Sequence, residues 1–167
     1  EKRRNSQTLT VLCGQSNAMN AGATSDASDK TCVATAYDFA SFSGWGHLVA
    51  RRTALWATLQ GYELIVRPWC GLQSVWCTAT NTLAVLESRP DCAVLLHVDG
   101  DVVVANLSYR VPIPQEPKSI LFSRQSRNGT TGLANAGVIA VRNVPSARSA
   151  IQWWASYGKG QCRPVEA

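Results

Sequence analysis

Charge is scarce in this 167-residue chain: Asp, Glu, Lys and Arg make up 16% of it, against 46% apolar residues, and the net charge is +5. That balance excludes a disordered chain, which combines low hydrophobicity with high net charge. The basic residues are scattered (Arg51-Arg52, Arg67, Arg124, Arg127, Arg142, Arg148), apart from a Glu-Lys-Arg-Arg start that reads as a solvated tail. Clustered Lys and Arg with interleaved aromatics, the mark of a nucleic-acid surface, are lacking. No window holds the roughly 18 uninterrupted apolar residues of a membrane span. No signal peptide is legible, and the start at Glu1 reads as a processed or trimmed chain. Histidine occurs only at 47 and 97, and the six cysteines (13, 32, 70, 77, 92 and 162) include no CxxC pair. Both shortages argue against a zinc site.

What is present favours one domain over residues 8–167 behind a flexible tail at 1–7, long enough to bury a core. An even number of cysteines reads either as buried free thiols or as one to three disulfides formed in a secretory compartment, with Cys70–Cys77 the best local pair. Two acceptor sequons, at Asn106 (Asn-Leu-Ser) and Asn128 (Asn-Gly-Thr), lean toward the secretory reading.

"TLTVLC" (8–13) is β-rich and ends at Gly14, which predicts a first strand. Residues 14–46 show no clear period and read as an irregular connection or short helices. Residues 47–61 place Leu48, Arg51/Arg52, Leu55 and Leu59 at helical spacing and stop at Gly61. A strand is predicted at 62–68, then a helix at 75–90 with Val75, Ala79, Leu83 and Leu86 as its buried stripe. "CAVLLHV" (92–98) is almost continuously apolar, as suits a strand covered on both faces. The order β-α-β-α-β implies parallel pairing with crossover helices. Further elements are expected at 119–125, 136–143 and 145–158, the last opened by Pro145.

The third predicted strand runs into Asp99-Gly100-Asp101. Ligands of open α/β sheets bind beyond the carboxyl ends of strands, where this acidic pair falls. Residues i and i+2 share a side of an extended chain, so the two carboxylates repel unless a cation sits between them. Hard divalent ions such as Mn2+ or Mg2+ prefer such oxygens, completed by waters and phosphates. The bland alternative is a solvated Asp-Gly turn.

The neighbouring stretches carry a resemblance. Gly61-Tyr62-Glu63-Leu64, Pro90-Asp91, Asp99-Gly100-Asp101, Asn135-Ala136-Gly137 and Arg142-Asn143 follow one another over roughly residues 48 to 158. In order and spacing they resemble the nucleotide-sugar glycosyltransferases of the galactosyl/xylosyl/mannosyltransferase family. The resemblance implies a GT-A-like (Rossmann-like) α/β fold with a mostly parallel sheet flanked by helices. It implies Asp99 and Asp101 as ligands of Mn2+ (or Mg2+) on the diphosphate of the donor. Cys13, Gly14, Gln15 and Gly100 would bind the donor, and Asn135, Ala136 and Gly137 would line the acceptor and donor-sugar side. The implied reaction transfers a hexose or pentose from a nucleotide diphosphate sugar to a glycan or glycoprotein, with retention, in the Golgi lumen or outside the cell. The family's helix lysine is replaced by Asn81, its aromatics before the acidic pair by Leu95-Leu96-His97, and its C-terminal histidine has no counterpart before Ala167. The chain therefore corresponds to a compact variant or to a fragment of a longer protein.

Two other functions compete. One is an inactive glycosyltransferase-like module with a structural or carbohydrate-binding role in a larger secreted assembly. The other is an esterase, because "CGQSNAMNAG" (13–22) resembles the Gly-Gln-Ser-Asn block of sialate and acetylxylan esterases, with Ser16 as nucleophile. An Asp-x-x-His base is missing: Gly44 and Val94 stand three residues before His47 and His97.

Overall fold

The computed structural model describes residues 30–37, 45–68, 74–124 and 134–161. Among the described residues eight elements occur in this order: β1 (Thr31–Tyr37), α1 (Trp45–Gln60), β2 (Glu63–Pro68), α2 (Ser74–Ser88), β3 (Val94–Val98), β4 (Ile120–Arg124), β5 (Ala134–Arg142) and α3 (Pro145–Gln161). The strands form one sheet in the order β2-β1-β3-β5-β4. β1 pairs in parallel with β2 and with β3, so the expected parallel β-α-β-α-β pattern is present, but with Thr31–Tyr37 as its first strand and not residues 8–13. β5 runs antiparallel to both β3 and β4, so the mostly parallel expectation is met only by that half.

β1 corrects the reading of 14–46 as an irregular connection or short helices. All seven of its residues are buried, so no alternation betrays it, and two alanines and a cysteine dilute its β character. The strand predicted at 8–13 lies outside the described residues.

α1 ends where glycine permits. Gly61 has φ +71°, Tyr62 N–H donates to Ala57 O at 2.8 Å, and Gly61 N–H donates to Thr58 O at 3.1 Å. These two bonds make a Schellman cap. Leu48, Leu55 and Leu59, whose spacing marks the helix, lie exposed on its outer face. Val49, Thr53, Trp56 and Ala57 form the buried one.

Two cores flank the sheet. On one face Val33, Leu96, Val98 and Ala140 pack with Trp56 and Ala57 of α1. The irregular segment 102–119 helps to cover this face through Val104, Leu107, Val111 and Ile113. α1 holds it by its backbone carbonyls: Trp56 Nε1 donates to Tyr109 O (2.8 Å) and Gln60 Nε2 to Leu107 O (2.7 Å). On the other face Ala34, Leu95, Ile139 and Val141 pack under α2 and α3 through Val85, Leu86, Ala147 and Ile151. A disulfide, Cys32–Cys92, joins the start of β1 to the residues leading into β3, with both cysteines fully buried. Cys77 is also disulfide-bonded, while its expected partner Cys70 lies outside the described residues.

Candidate functional site

All five residues of β3 are buried, and Asp99 comes immediately after them. The ladder continues one step further, because Asp99 N–H donates to Gly137 O of β5 at 2.9 Å. Then the chain turns: Val102 N–H donates to Asp99 O at 3.0 Å, closing a four-residue turn with Gly100 and Asp101 at its centre. Gly100 is required there by space. A Cβ would stand 2.6 Å from Ala36 O and 2.9 Å from Tyr37 Cδ1, so only glycine lets the turn lie against the end of β1.

Asp99 is held from two sides. Thr78 Oγ1 of α2 donates to Asp99 Oδ1 at 2.9 Å, and His97 Nε2 lies 3.2 Å from the same oxygen. The other ring nitrogen, His97 Nδ1, is 3.2 Å from Thr82 Oγ1. A neutral ring protonated at Nε2 satisfies both contacts, donating to the carboxylate and accepting from the threonine. Thr82 and His97 are buried, so this chain of groups orients Asp99 and meets no substrate. Asp99 Oδ2 accepts no hydrogen bond among the described residues. A Cβ on residue 137 would stand 2.8 Å from Asn135 Oδ1, so glycine there makes room for the Asn135 side chain.

Asn135 Oδ1 accepts from Gly137 N–H at 2.6 Å. The β4–β5 register shifts between Phe122 and Ser123, and Ser123 Oγ donates to Asn135 O across that irregularity. Bulges of this kind re-aim side chains at strand ends. The structure thus places Asn135, Ala136 and Gly137 beside Asp99, Gly100 and Asp101 at one end of the sheet. Cys13, Gly14, Gln15, Ser16 and Asn128 lie outside the described residues. Asn106 is exposed on the 102–119 segment, and its Oδ1 accepts from Ser108 N–H. Arg142 and Asn143 serve the frame: Arg142 Nε donates to Pro114 O, and Asn143 Nδ2 caps α2 at Leu86 O and Arg89 O.

Loss of hydration, and next the charge of Asp99, push the Asp101 carboxyl above its ordinary value. Two carboxylates one residue apart, one with an oxygen to spare and the other strained by its neighbour's charge, fit a hard divalent cation. Among the described residues no group of three or more His, Cys, Asp or Glu side chains could hold a metal ion. Waters and phosphate oxygens would fill the remaining positions.

Thr78 and Thr82 are the site residues that sequence reasoning missed. Their signal is a polar stripe: Thr78, Asn81 and Thr82 recur at i, i+3 and i+4 in an apolar helix, and all three are buried. Asn81 itself donates to Cys77 Sγ at 3.4 Å and stays inside.

No family model and no curated relative matches this chain. Among solved structures it is similar to a glycosyltransferase involved in the glycosylation of the major capsid of PBCV-1. The TM-score is 0.63 at 13% identity, over 79% of this chain and 69% of that one. At so low an identity the likeness is one of fold: a five-stranded α/β sheet flanked by helices, as in a glycosyltransferase.

Proposed function

We propose that this protein transfers a hexose or pentose from a nucleotide diphosphate sugar to a glycan or glycoprotein acceptor, with Asp99 and Asp101 holding Mn2+ or Mg2+. One observation carries the reading. At the carboxyl end of a central strand, in a fold similar to that of a glycosyltransferase, Asp99 has one oxygen fixed by Thr78 and His97 and the other without a hydrogen bond among the described residues, one residue from Asp101.

The cation would supply charge to the leaving diphosphate, the main electrostatic demand of such a transfer. The protein's own residues prepare the place. Thr78 and His97 fix the direction of Asp99, while Gly100 lets the turn lie against the end of β1. Among the described residues Asp99 and Asp101 are the carboxylates at this end of the sheet, and both are assigned to the cation. Attack by the acceptor on the leaving group's own face, with retention, is therefore the route we favour. The buried Cys32–Cys92 disulfide supports an oxidising compartment, the Golgi lumen or the cell exterior.

A second reading, a catalytically silent carbohydrate-binding or structural module, is favoured by Asn81. It stands where the resembling family has lysine, yet is buried against Cys77 and offers no charge to a phosphate.

A thermal-shift screen of nucleotide sugars with and without Mn2+ separates the two. A donor at a hundredfold excess over its dissociation constant stabilises the fold by about 2.7 kcal/mol. Asp101→Ala should remove the metal-dependent shift and leave the unliganded midpoint in place. No shift with any uridine or guanosine diphosphate sugar would leave the silent module standing.

A further inference from the structure

Arg67 stands one residue before the end of β2, and register carries it into the candidate site. Its partner on β1 is Ala36, and β1 pairs Ala34 with His97 of β3, which brings Ala36 alongside Asp99 two residues on. Residues in register on parallel strands share a face of the sheet, here the face on which Thr78 of α2 meets Asp99. Gly137 continues the row on β5 through its bond from Asp99 N–H. With strands spaced about 5 Å apart, the Cα atoms of Arg67 and Asp99 are roughly 10 Å apart. On the sheet Ala36, too short to screen them, lies between.

Among the described residues Arg67 is also the arginine with a buried donor left unpaired. Its Nε is buried and has no hydrogen-bond partner. Arg52, Arg89, Arg110 and Arg142 each donate from Nε to an oxygen. No ion pair among the described residues involves Arg67. A buried donor without an acceptor is costly, and an incoming anion would relieve it.

We infer that Arg67 is the anion-binding arm of the site, taking phosphate oxygens of the donor's diphosphate across from the cation on Asp99 and Asp101. The inference rests on the function proposed above and deepens it. Charge requires such a group: the two aspartates already match a divalent cation, so the ionised diphosphate needs another positive partner. A guanidinium can meet two phosphate oxygens at once, which a lysine cannot do in the same way. Arg67 would thus fill, from the opposite flank, the role left empty at Asn81.

Calorimetry with inorganic pyrophosphate in the presence of Mn2+ tests this, alongside a titration of Mn2+ alone. Arg67→Ala should weaken pyrophosphate binding about tenfold or more, the scale of a lost charged hydrogen bond, while Mn2+ affinity stays unchanged. Arg67→Lys should recover part of the loss. If the alanine variant does not fold, Arg67→Gln, which keeps most of the stem, is read the same way. Unchanged pyrophosphate affinity, an equal loss of Mn2+ affinity, or a wild type that ignores pyrophosphate would each overturn the assignment. Arg67-dependent pyrophosphate binding without a response to any nucleotide sugar would keep the anion arm and discard the glycosyltransferase reading.

Discussion

Among the described residues Asp99 has one oxygen that accepts hydrogen bonds and one that accepts none, and a neighbouring helix helps to make the difference. Removing the Thr78 hydroxyl should therefore act on the metal without touching it directly. Thr78→Val keeps the shape of a buried side chain and deletes the donor to Oδ1. Partners of this kind typically account for 10–100-fold in metal affinity. Calorimetric Mn2+ affinity should fall by roughly that factor, with thermal stability nearly kept; unchanged affinity would show that Thr78 does not orient the ligand. Asp99-Gly100-Asp101 is legible in the sequence because charge stands out inside an apolar run. Thr78 and Thr82 are not legible, since a helical threonine reads as a poor helix former until the facing strand is known. Gly100 was legible as a turn residue, but its need for closeness to Ala36 and Tyr37 comes from a strand the sequence hid.

At the opposite end of the sheet, four elements are joined by charge. Lys30 and Arg89 bridge Glu63 at the start of β2 and Asp91 before β3. Hydrogen bonds from Arg89, and then from Lys30, hold the Glu63 carboxyl at about 2, and the same two donors lower Asp91. Both folded-state values are depressed. The stability they contribute is thus complete above the ordinary Glu value of 4.5 and is lost as pH falls toward about 2. The groups are exposed, so the effect is modest and weakens with salt. Thermal midpoints of the wild type and Arg89→Ala should differ at neutral pH and low salt, then converge as pH approaches 2; curves that stay parallel would deny the network any pH-linked part. Helical spacing found α1, α2 and α3 but not always their faces. In α1 the leucines at 48, 55 and 59 and the buried set at 49, 53, 56 and 57 have the same period, and only the sheet decides which turns inward.

For the whole molecule, the parallel half of the sheet was readable in part: helices mark off β2 and β3 as parallel partners, while their shared neighbour β1 was not seen and a strand was expected at 8–13 instead. Among the described residues no helix separates β3 from β4 or β5, and nothing in a short apolar run states its direction or its neighbour, so the antiparallel half was not readable. The Cys32–Cys92 bond spans 60 residues and encloses α1, β2 and α2. Closing a loop of that length in the unfolded chain is worth about 4 kcal/mol in the chain-entropy account. The Cys32→Ala/Cys92→Ala double variant should lose about 2–4 kcal/mol in denaturant unfolding; an unchanged midpoint would mean the sheet holds itself together without the bond. Both sulfurs lie where the two central parallel strands meet, out of reach of solvent. A thiol reagent can attack the bond only during moments when β1 and β3 part. The rate at which the free thiols appear under mild reductant is then a clock for how often the middle of this sheet opens.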